Sequence, residues 1–177
     1  NFTLRVQPAK LYVDNEQWNI HGSTLLFRKS HLQVDSLIIE SRNEYLLANG
    51  TISSRMEDQF DLEIRNLDLA RLTRMGGMNM KLGGNITGNV NYSRVDQFPH
   101  ITSDLSVDTL RFNQQLMGPT SLNAVWNESR GTIALDLLSR GPGTRAMEIT
   151  GDYTPEGGML DFDIQLNDFG LNSLNPY

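Results

Sequence analysis

Three histidines, His21, His31 and His100, are the natural candidates for proton transfer near neutral pH. None has a carboxylate at a spacing that would orient it as a general base, so they read as surface or strand-edge side chains. Two pairs of acids offer a second chemistry. Asp61 with Glu63, and Asp161 with Asp163, each share one face of an extended strand, where one carboxyl could serve as acid and the other as base. Both pairs alternate with apolar residues, Phe60, Leu62 and Ile64 in one case and Leu160, Phe162 and Ile164 in the other. They therefore read as the wet face of a wall. Neither pair has the ligand ladder and closing glutamate of a calcium loop. The run Gly83-Gly84-Asn85-Ile86-Thr87-Gly88 is glycine-rich like a phosphate loop, but it lacks the lysine and the following helix. It reads as a strand that permits bending or close approach. No serine stands in a G-x-S-x-G elbow. Trp18, Trp126, Tyr12, Tyr92 and Tyr153 could stack on sugar rings, yet their spacing follows the apolar positions of strands, which favours packing in a wall. Asn-x-Ser/Thr triplets at Asn1, Asn49, Asn85, Asn91 and Asn127 would mark glycosylation only in a secreted eukaryotic chain. The expectation is a non-catalytic protein with no metal and no cofactor.

Composition narrows the partners. The 177 residues carry 15 basic and 21 acidic side chains, a formal charge of −6. The basic residues are scattered, so neither a nucleic-acid backbone nor an anionic membrane surface is an expected partner. There are no cysteines, which excludes disulfides, thiolate metal sites and cysteine nucleophiles. Only 38% of residues are hydrophobic, which suits a sheet burying one face better than a thick two-layer core. Alternation runs from the first residues, Asn1 to Val6, as expected of a segment within a longer chain.

Period-two alternation is the pattern that must position any site. It recurs through Phe2–Val6, Leu11–Val13, Trp18–Ile20, Leu25–Phe27, Leu32–Val34, Leu37–Ile39, Phe60–Ile64, Leu105–Val107, Leu122–Trp126, Ile133–Leu137 and Leu160–Leu166. Turns fall at Asn49-Gly50, Gly76-Gly77, Gly118-Pro119, Gly141-Pro142-Gly143 and Gly157-Gly158. The pattern predicts about thirteen strands in an antiparallel meander. Helical spacing occurs once, over Asn66–Met75, with Asp68 placed to start a turn and Gly76-Gly77 to end it.

The pattern also repeats. Leu62, Ile64, Leu67, Leu69 and Leu72 recur as Ile164, Leu166, Phe169, Leu171 and Leu174, at an offset of 102 throughout. Leu4, Val6, Leu11 and Val13 recur as Leu105, Val107, Leu110 and Phe112, and Asn49-Gly50 as Thr150-Gly151. The organisation read from this is a first β repeat over 1–75, a Gly/Asn-rich connecting region over 76–99, and a second, incomplete repeat over 100–177, in one continuous segment.

Three stretches resemble the TamB family of the AsmA-like group, in the version found in Bacteroidetes. Leu82-Gly83-Gly84-Asn85-Ile86-Thr87-Gly88-Asn89-Val90-Asn91-Tyr92, with Phe98-Pro99-His100-Ile101 after it, is similar to the family's L-x-G-x-Φ-x-G-x-Φ strand. Asp104–Asn113 with Leu116-Met117-Gly118 resembles a repeat start. Gly151–Pro155, Leu160–Ile164 and Leu171–Tyr177 resemble its end. The resemblance covers essentially the whole chain. It implies an internal piece of a periplasmic protein of a Gram-negative bacterium, anchored in the inner membrane as a long β-groove with a greasy interior. It further implies a part in phospholipid movement and outer-membrane biogenesis, and work beside an Omp85-type barrel of the TamA or BamA kind through the full-length protein.

The expected fold is thus all-β: an elongated antiparallel sheet curled into a groove (a β-taco, open and solenoid-like) with one short helical turn near 66–75. The expected lining is Leu4, Val6, Leu11, Val13, Ile20, Leu25, Phe27, Leu62, Ile64, Leu105, Val107, Phe112, Leu122, Trp126, Leu135, Ile149, Phe162, Ile164 and Leu166. The expected partner is phospholipid acyl chains. Each methylene sheltered from water contributes about 0.8 kcal/mol, with no bond chemistry needed. Two alternatives stay open: a sheet edge that templates strands of outer-membrane proteins, and a closed carbohydrate-binding or adhesive sandwich. Edge-to-edge self-association of the isolated segment is a further expectation.

Overall fold

A computed structural model describes residues 1–13, 15–75, 81–95, 98–112, 115–141, 146–155 and 157–167. Fourteen strands and one helix account for nearly all of them. In chain order the strands are β1 (Phe2–Val6), β2 (Ala9–Val13), β3 (Glu16–Ile20), β4 (Ser23–Arg28), β5 (His31–Glu40), β6 (Tyr45–Ser53) and β7 (Phe60–Asp68). The helix α1 (Leu69–Met75) follows. Then come β8 (Leu82–Gly83), β9 (Asn85–Val95), β10 (Phe98–Phe112), β11 (Gln115–Asn127), β12 (Thr132–Arg140), β13 (Ala146–Thr154) and β14 (Met159–Asn167). The sheet is antiparallel and open. Its hydrogen-bonded order is β1-β4-β5-β6-β7-β9-β10-β11-β12-β13-β14, with β2, β3 and β8 attached to the side, and β1 and β14 do not pair with each other.

The chain forms two compact units. The first is Asn1–Leu67 with Gly88–Thr102; the second holds the described residues of Asp68–Thr87 and Ser103–Tyr177. In the first unit the ladders place apolar residues directly opposite one another, where cross-strand partners share a face. Leu4 faces Leu25, which faces Val34; Phe2 faces Phe27, which faces Leu32 and then Ile52. Leu37, Ala48 and Leu62 make a further row, and Ile39, Leu46 and Ile64 another, with Ile20 opposite Ile39.

A β-bulge keeps these rows on one face. Val34 and Leu37 are three apart in sequence, so strict alternation would send one of them outward. The register shifts between them, at Ser36, whose φ of 49° lies in the left-handed region. Asn49 Oδ1 accepts hydrogen bonds from the Ser36 amide at 3.2 Å and from its hydroxyl at 3.1 Å, which holds the unusual conformation. Asn66 (φ 53°) also lies in the left-handed region, between Ile64 and Leu67, which are three apart and both buried; its Nδ2 donates to Asn43 O at 3.1 Å.

In the second unit the rows are as regular. Leu122, Leu137, Ile149 and Ile164 lie opposite one another across four strands. Thr120, Ser139, Met147 and Leu166 form the next row; Ala124, Leu135, Gly151 and Phe162 the one on the other side; Trp126, Ile133, Tyr153 and Leu160 the last. The helix α1 starts at Leu69, within the expected span Asn66–Met75, after Asn66–Asp68 complete β7. Asp68 Oδ1 accepts the Ala70 amide at 2.7 Å, which caps the first turn, and the Leu69 amide donates to Gly84 O at 3.0 Å. The expected stop at Gly76-Gly77 lies outside the described residues.

Candidate functional site

The described side chains of the second unit leave its apolar face unfilled. Its strands and α1 border a hollow of about 420 Å³. Of the expected lining, Leu105, Val107, Phe112, Leu122, Ile149, Ile164 and Leu166 border it. Leu105 and Ile164 stand on β10 and β14, four strands apart. On a flat sheet that is roughly 19 Å. For both to reach one hollow, this part of the sheet must curl around it.

Two irregularities assist the curl, since a bulge bends and twists its strand. One is at Gly118 (φ 87°), where a Cβ would lie 2.1 Å from Arg140 O, so only glycine fits. It lets Met117 and Thr120, three apart, both turn to the apolar face. The other is at Asp108 and Thr109, both exposed, between Val107 and Leu110, which both border the hollow. Here Asp108 replaces the ladder: its Oδ1 accepts the Asn85 amide at 2.9 Å and its Oδ2 the Asn85 side chain at 3.3 Å. The Asn85 backbone hydrogen bond is the main reason that the Asp108 carboxyl titrates below its ordinary value; its slight burial works in the opposite direction.

Among the described residues the lining has fifteen members, and Thr120 is the one polar side chain. Its hydroxyl is held within the wall. Ser139 Oγ accepts from Thr120 Oγ1 at 2.9 Å and donates to Met117 O at 2.8 Å, and Ser139 is fully buried. The hollow itself therefore offers dispersion and shelter from water, with no hydrogen bond to a ligand. Exposure rises toward β14, where Phe162 is 40% and Ile164 59% exposed, so greasy side chains of that strand meet solvent.

The other expected residues fall as follows. Leu135 and Phe162 are on the same face, in the row beside the hollow. Trp126 is 6% exposed at the far row, packed as wall. Leu4, Val6, Leu11, Val13, Ile20, Leu25, Phe27, Leu62 and Ile64 belong to the first unit. There Leu4 and Leu11 are exposed, Ile64 is buried, and Phe27 stacks on Phe2 with ring centroids 5.0 Å apart. Lining residues beyond the expected set are Leu69, Leu82, Ile86, Leu110, Met117, Thr120, Leu137 and Met147. Leu137 belongs to the Ile133–Leu137 alternation, and Met147 stands two residues before the expected Ile149. Leu110 was legible as an apolar position of the repeat, beside the expected Phe112, though not as lining; the phase change at Gly118 hid Met117.

The candidate chemistry of the first unit has other uses. Ser53 Oγ donates to Asp58 Oδ2 at 2.6 Å and accepts the Arg55 amide at 2.9 Å; His31 Nδ1 is 4.0 Å from the same Asp58 oxygen. The carboxylate stands between serine and histidine, so no histidine is placed to take the serine's proton. The group instead shapes the β6–β7 turn. His21 Nε2 is 2.8 Å from Glu40 Oε1 at an exposed ladder end. Asp61 accepts from Asn91 Nδ2 at 2.6 Å and Glu63 from Arg65 Nε at 2.6 Å, both exposed. Asp161 stands opposite Asp152, whose oxygens take Arg130 at 3.0 Å and Thr132 at 2.8 Å. These carboxylates are on the strand face opposite the apolar rows. Among the described residues no three histidines or acids converge as metal ligands.

Comparison with family models gives no match for this chain, and neither curated proteins nor solved structures give one.

Proposed function

We propose that this chain is a non-catalytic lipid-sheltering segment, in which acyl chains lie against the apolar rows of a curled antiparallel sheet. The observation that supports this most is the hollow of the second unit, about 420 Å³ with Thr120 as the one polar lining residue among those described. Its size falls in the range of small-molecule sites, roughly 300 to 1,000 Å³. A site without directional partners suits a ligand that is recognised by length and greasiness alone. Successive rows repeat the same kind of contact, so a chain can slide without breaking hydrogen bonds. Each methylene removed from water is favoured by about 0.8 kcal/mol.

The resemblance to the TamB family gives this reading its setting. The segment would belong to a periplasmic, inner-membrane-anchored protein that moves phospholipid toward the outer membrane beside an Omp85-type barrel. The carbohydrate-binding alternative is disfavoured by the tryptophans: Trp18 and Trp126 are each 6% exposed and present no ring face to a sugar.

Uptake of a fluorescent fatty acid by delipidated protein tests the proposal. Ile149 borders the hollow, while its neighbour Thr150 points to the wet face between Asp136 and Asp163. Ile149→Lys is expected to weaken uptake at least tenfold, and Thr150→Lys to leave it within about twofold, by the cost of placing a charge beside an acyl chain. No saturable uptake by the unmodified protein, or equal effects of the two lysines, would count against it.

A further inference from the structure

At one end of the first unit, β7 starts late. Its first residue, Phe60, lies opposite Gly50, while β6 runs on to Ser53. β9, on the other side of β7, runs on past Asn91 to Val95. Asn91 Nδ2 donates to Asp61 Oδ1 at 2.6 Å, which sets Arg94 beyond the start of β7. With a strand missing between them, β6 and β9 stand about 10 Å apart there, two strand spacings. The Tyr92 hydroxyl spans the gap to Ser53 O at 3.4 Å. The notch opens as a hollow of about 530 Å³, and the end of the β4–β5 hairpin, with Arg28 opposite His31, borders it as well.

This hollow differs in chemistry from that of the second unit. Arg28 and Arg94 border it with His31, Ser30 and Ser54, beside the apolar Phe27, Leu32 and Ile52. Among the described residues Arg28 has no hydrogen-bond or ion-pair partner. Lys29 follows it in the turn. The nearby Arg55 and Glu57 pair with each other at 2.9 Å. Asp58, the other acid of that loop, takes the Ser53 hydroxyl at 2.6 Å and does not border the hollow. A chain of formal charge −6 thus gathers cations at one concave spot. Guanidinium groups and hydroxyls match the oxygens of a phosphate, which arginine binds through paired N–H donors. From the same spot an apolar row leads away across the sheet. Ile52, Leu32, Phe27 and Phe2 lie opposite one another, with the Phe27 and Phe2 rings stacked.

We infer that the notch between β6 and β9 is a phosphate-ester site, and that its ligand is the head group of an anionic lipid whose acyl part lies on the Ile52–Phe2 row. Arg28 and Arg94 supply charge-assisted hydrogen bonds to the phosphate, and Ser30 and Ser54 supply hydroxyl donors. The apolar row shelters the first methylenes beyond the ester. Binding of the acyl part rests on the lipid-sheltering proposal; binding of the phosphate does not.

The experiment titrates dihexanoyl phosphatidic acid, below its micelle concentration, into the whole chain and follows backbone amide shifts by NMR. Saturable shifts are expected at Ser30, His31, Ser53 and Ser54. Dihexanoylglycerol, which lacks the phosphate, is expected to shift these amides at least tenfold more weakly. Glycerol 3-phosphate, which lacks the acyl part, is also expected to be at least tenfold weaker. Arg28→Gln is expected to weaken phosphatidic acid at least fivefold, and Arg28→Lys, which keeps the charge, by less. Arg28 is exposed, so the spectrum away from the notch should stay unchanged in both variants. Ile149→Lys, which disables the hollow of the second unit, is expected to leave this binding within about twofold, so that loss of fatty-acid uptake and loss of this site are read separately. No saturable shifts at these amides, shifts that dihexanoylglycerol reproduces, or shifts that Arg28→Gln leaves unchanged would overturn the site. Glycerol 3-phosphate binding as tightly as phosphatidic acid would overturn the lipid as its source.

Discussion

Gly151 sits where two strands come too close for a side chain. A Cβ there would lie 2.1 Å from Asp161 O and 2.4 Å from the Phe162 ring, which spreads across the glycine. Gly151→Ala is expected to destabilise the protein by about 2 to 4 kcal/mol in urea unfolding, in the range of backbone clashes within a wall. Ser139 tests the sealing of the hollow's one polar group. Ser139→Ala deletes both the donor to Met117 O and the acceptor for Thr120, and is expected to cost about 1 to 2 kcal/mol. Asp108 gives a pH signature. Its carboxyl titrates below its ordinary value because it accepts the Asn85 amide. Its charged form is therefore favoured by folding. That contribution is present above the unfolded-state value and is lost as pH falls through the lower folded-state value. Asp108 is exposed, so solvent screening keeps the effect small. Unfolding midpoints followed from about pH 5 down to about pH 2 should fall more steeply for the unmodified protein than for Asp108→Asn. Parallel curves would show that the carboxylate plays no such part.

At the scale of elements, the bulge decides which residues share a wall. Period two is legible wherever a strand is unbroken: Leu122–Trp126 and Ile133–Leu137 could be assigned to one face from sequence. The breaks of three residues were less so. Leu32–Val34 and Leu37–Ile39 look like two strands in sequence, and they are one, β5, bent at Ser36. The same holds for Leu105–Val107 and Leu110–Phe112, which are both in β10. A helix was expected over Asn66–Met75; the first of these residues complete β7 and the helix starts at Leu69. A bulge and a helical turn both show a spacing of three, and only the hydrogen-bond partners tell them apart. What closes the β7–α1 corner is the Asp68 cap. Asp68→Ala is expected to cost about 1 kcal/mol and to speed hydrogen exchange at Ala70. Unchanged exchange there would mean that the turn is held by the packing of Leu69 alone.

On the scale of the whole molecule, the all-β class and the open antiparallel meander followed from alternation, turns and low hydrophobic content. The repeat was legible in part. Gly50, Ala48 and Leu46 stand opposite Phe60, Leu62 and Ile64 as Gly151, Ile149 and Met147 stand opposite Phe162, Ile164 and Leu166. Leu4–Val13, in contrast, fall in two strands, β1 and β2, whereas Leu105–Phe112 lie in β10 alone. The outline of the hollow was not legible. Which apolar residues border empty space depends on how far the sheet curls, and curl arises at Gly118 and Asp108, whose effect on a strand's path is set by partners distant in sequence. Leu122 and Ile149 were placed in the lining from alternation; Leu110 and Leu69 were legible as apolar positions of the repeat but not as lining, and Met117 was not assigned.

The most direct test of the proposed shelter is photo-crosslinking with a fatty acid that carries a diazirine near its methyl end, followed by mapping of the adducts by mass spectrometry. The account predicts adducts concentrated on the apolar rows that border the hollow, at residues such as Leu122, Leu137, Ile149 and Ile164, and competed away by unlabelled lipid. Adducts spread over the wet faces, or none above a control without light, would contradict it.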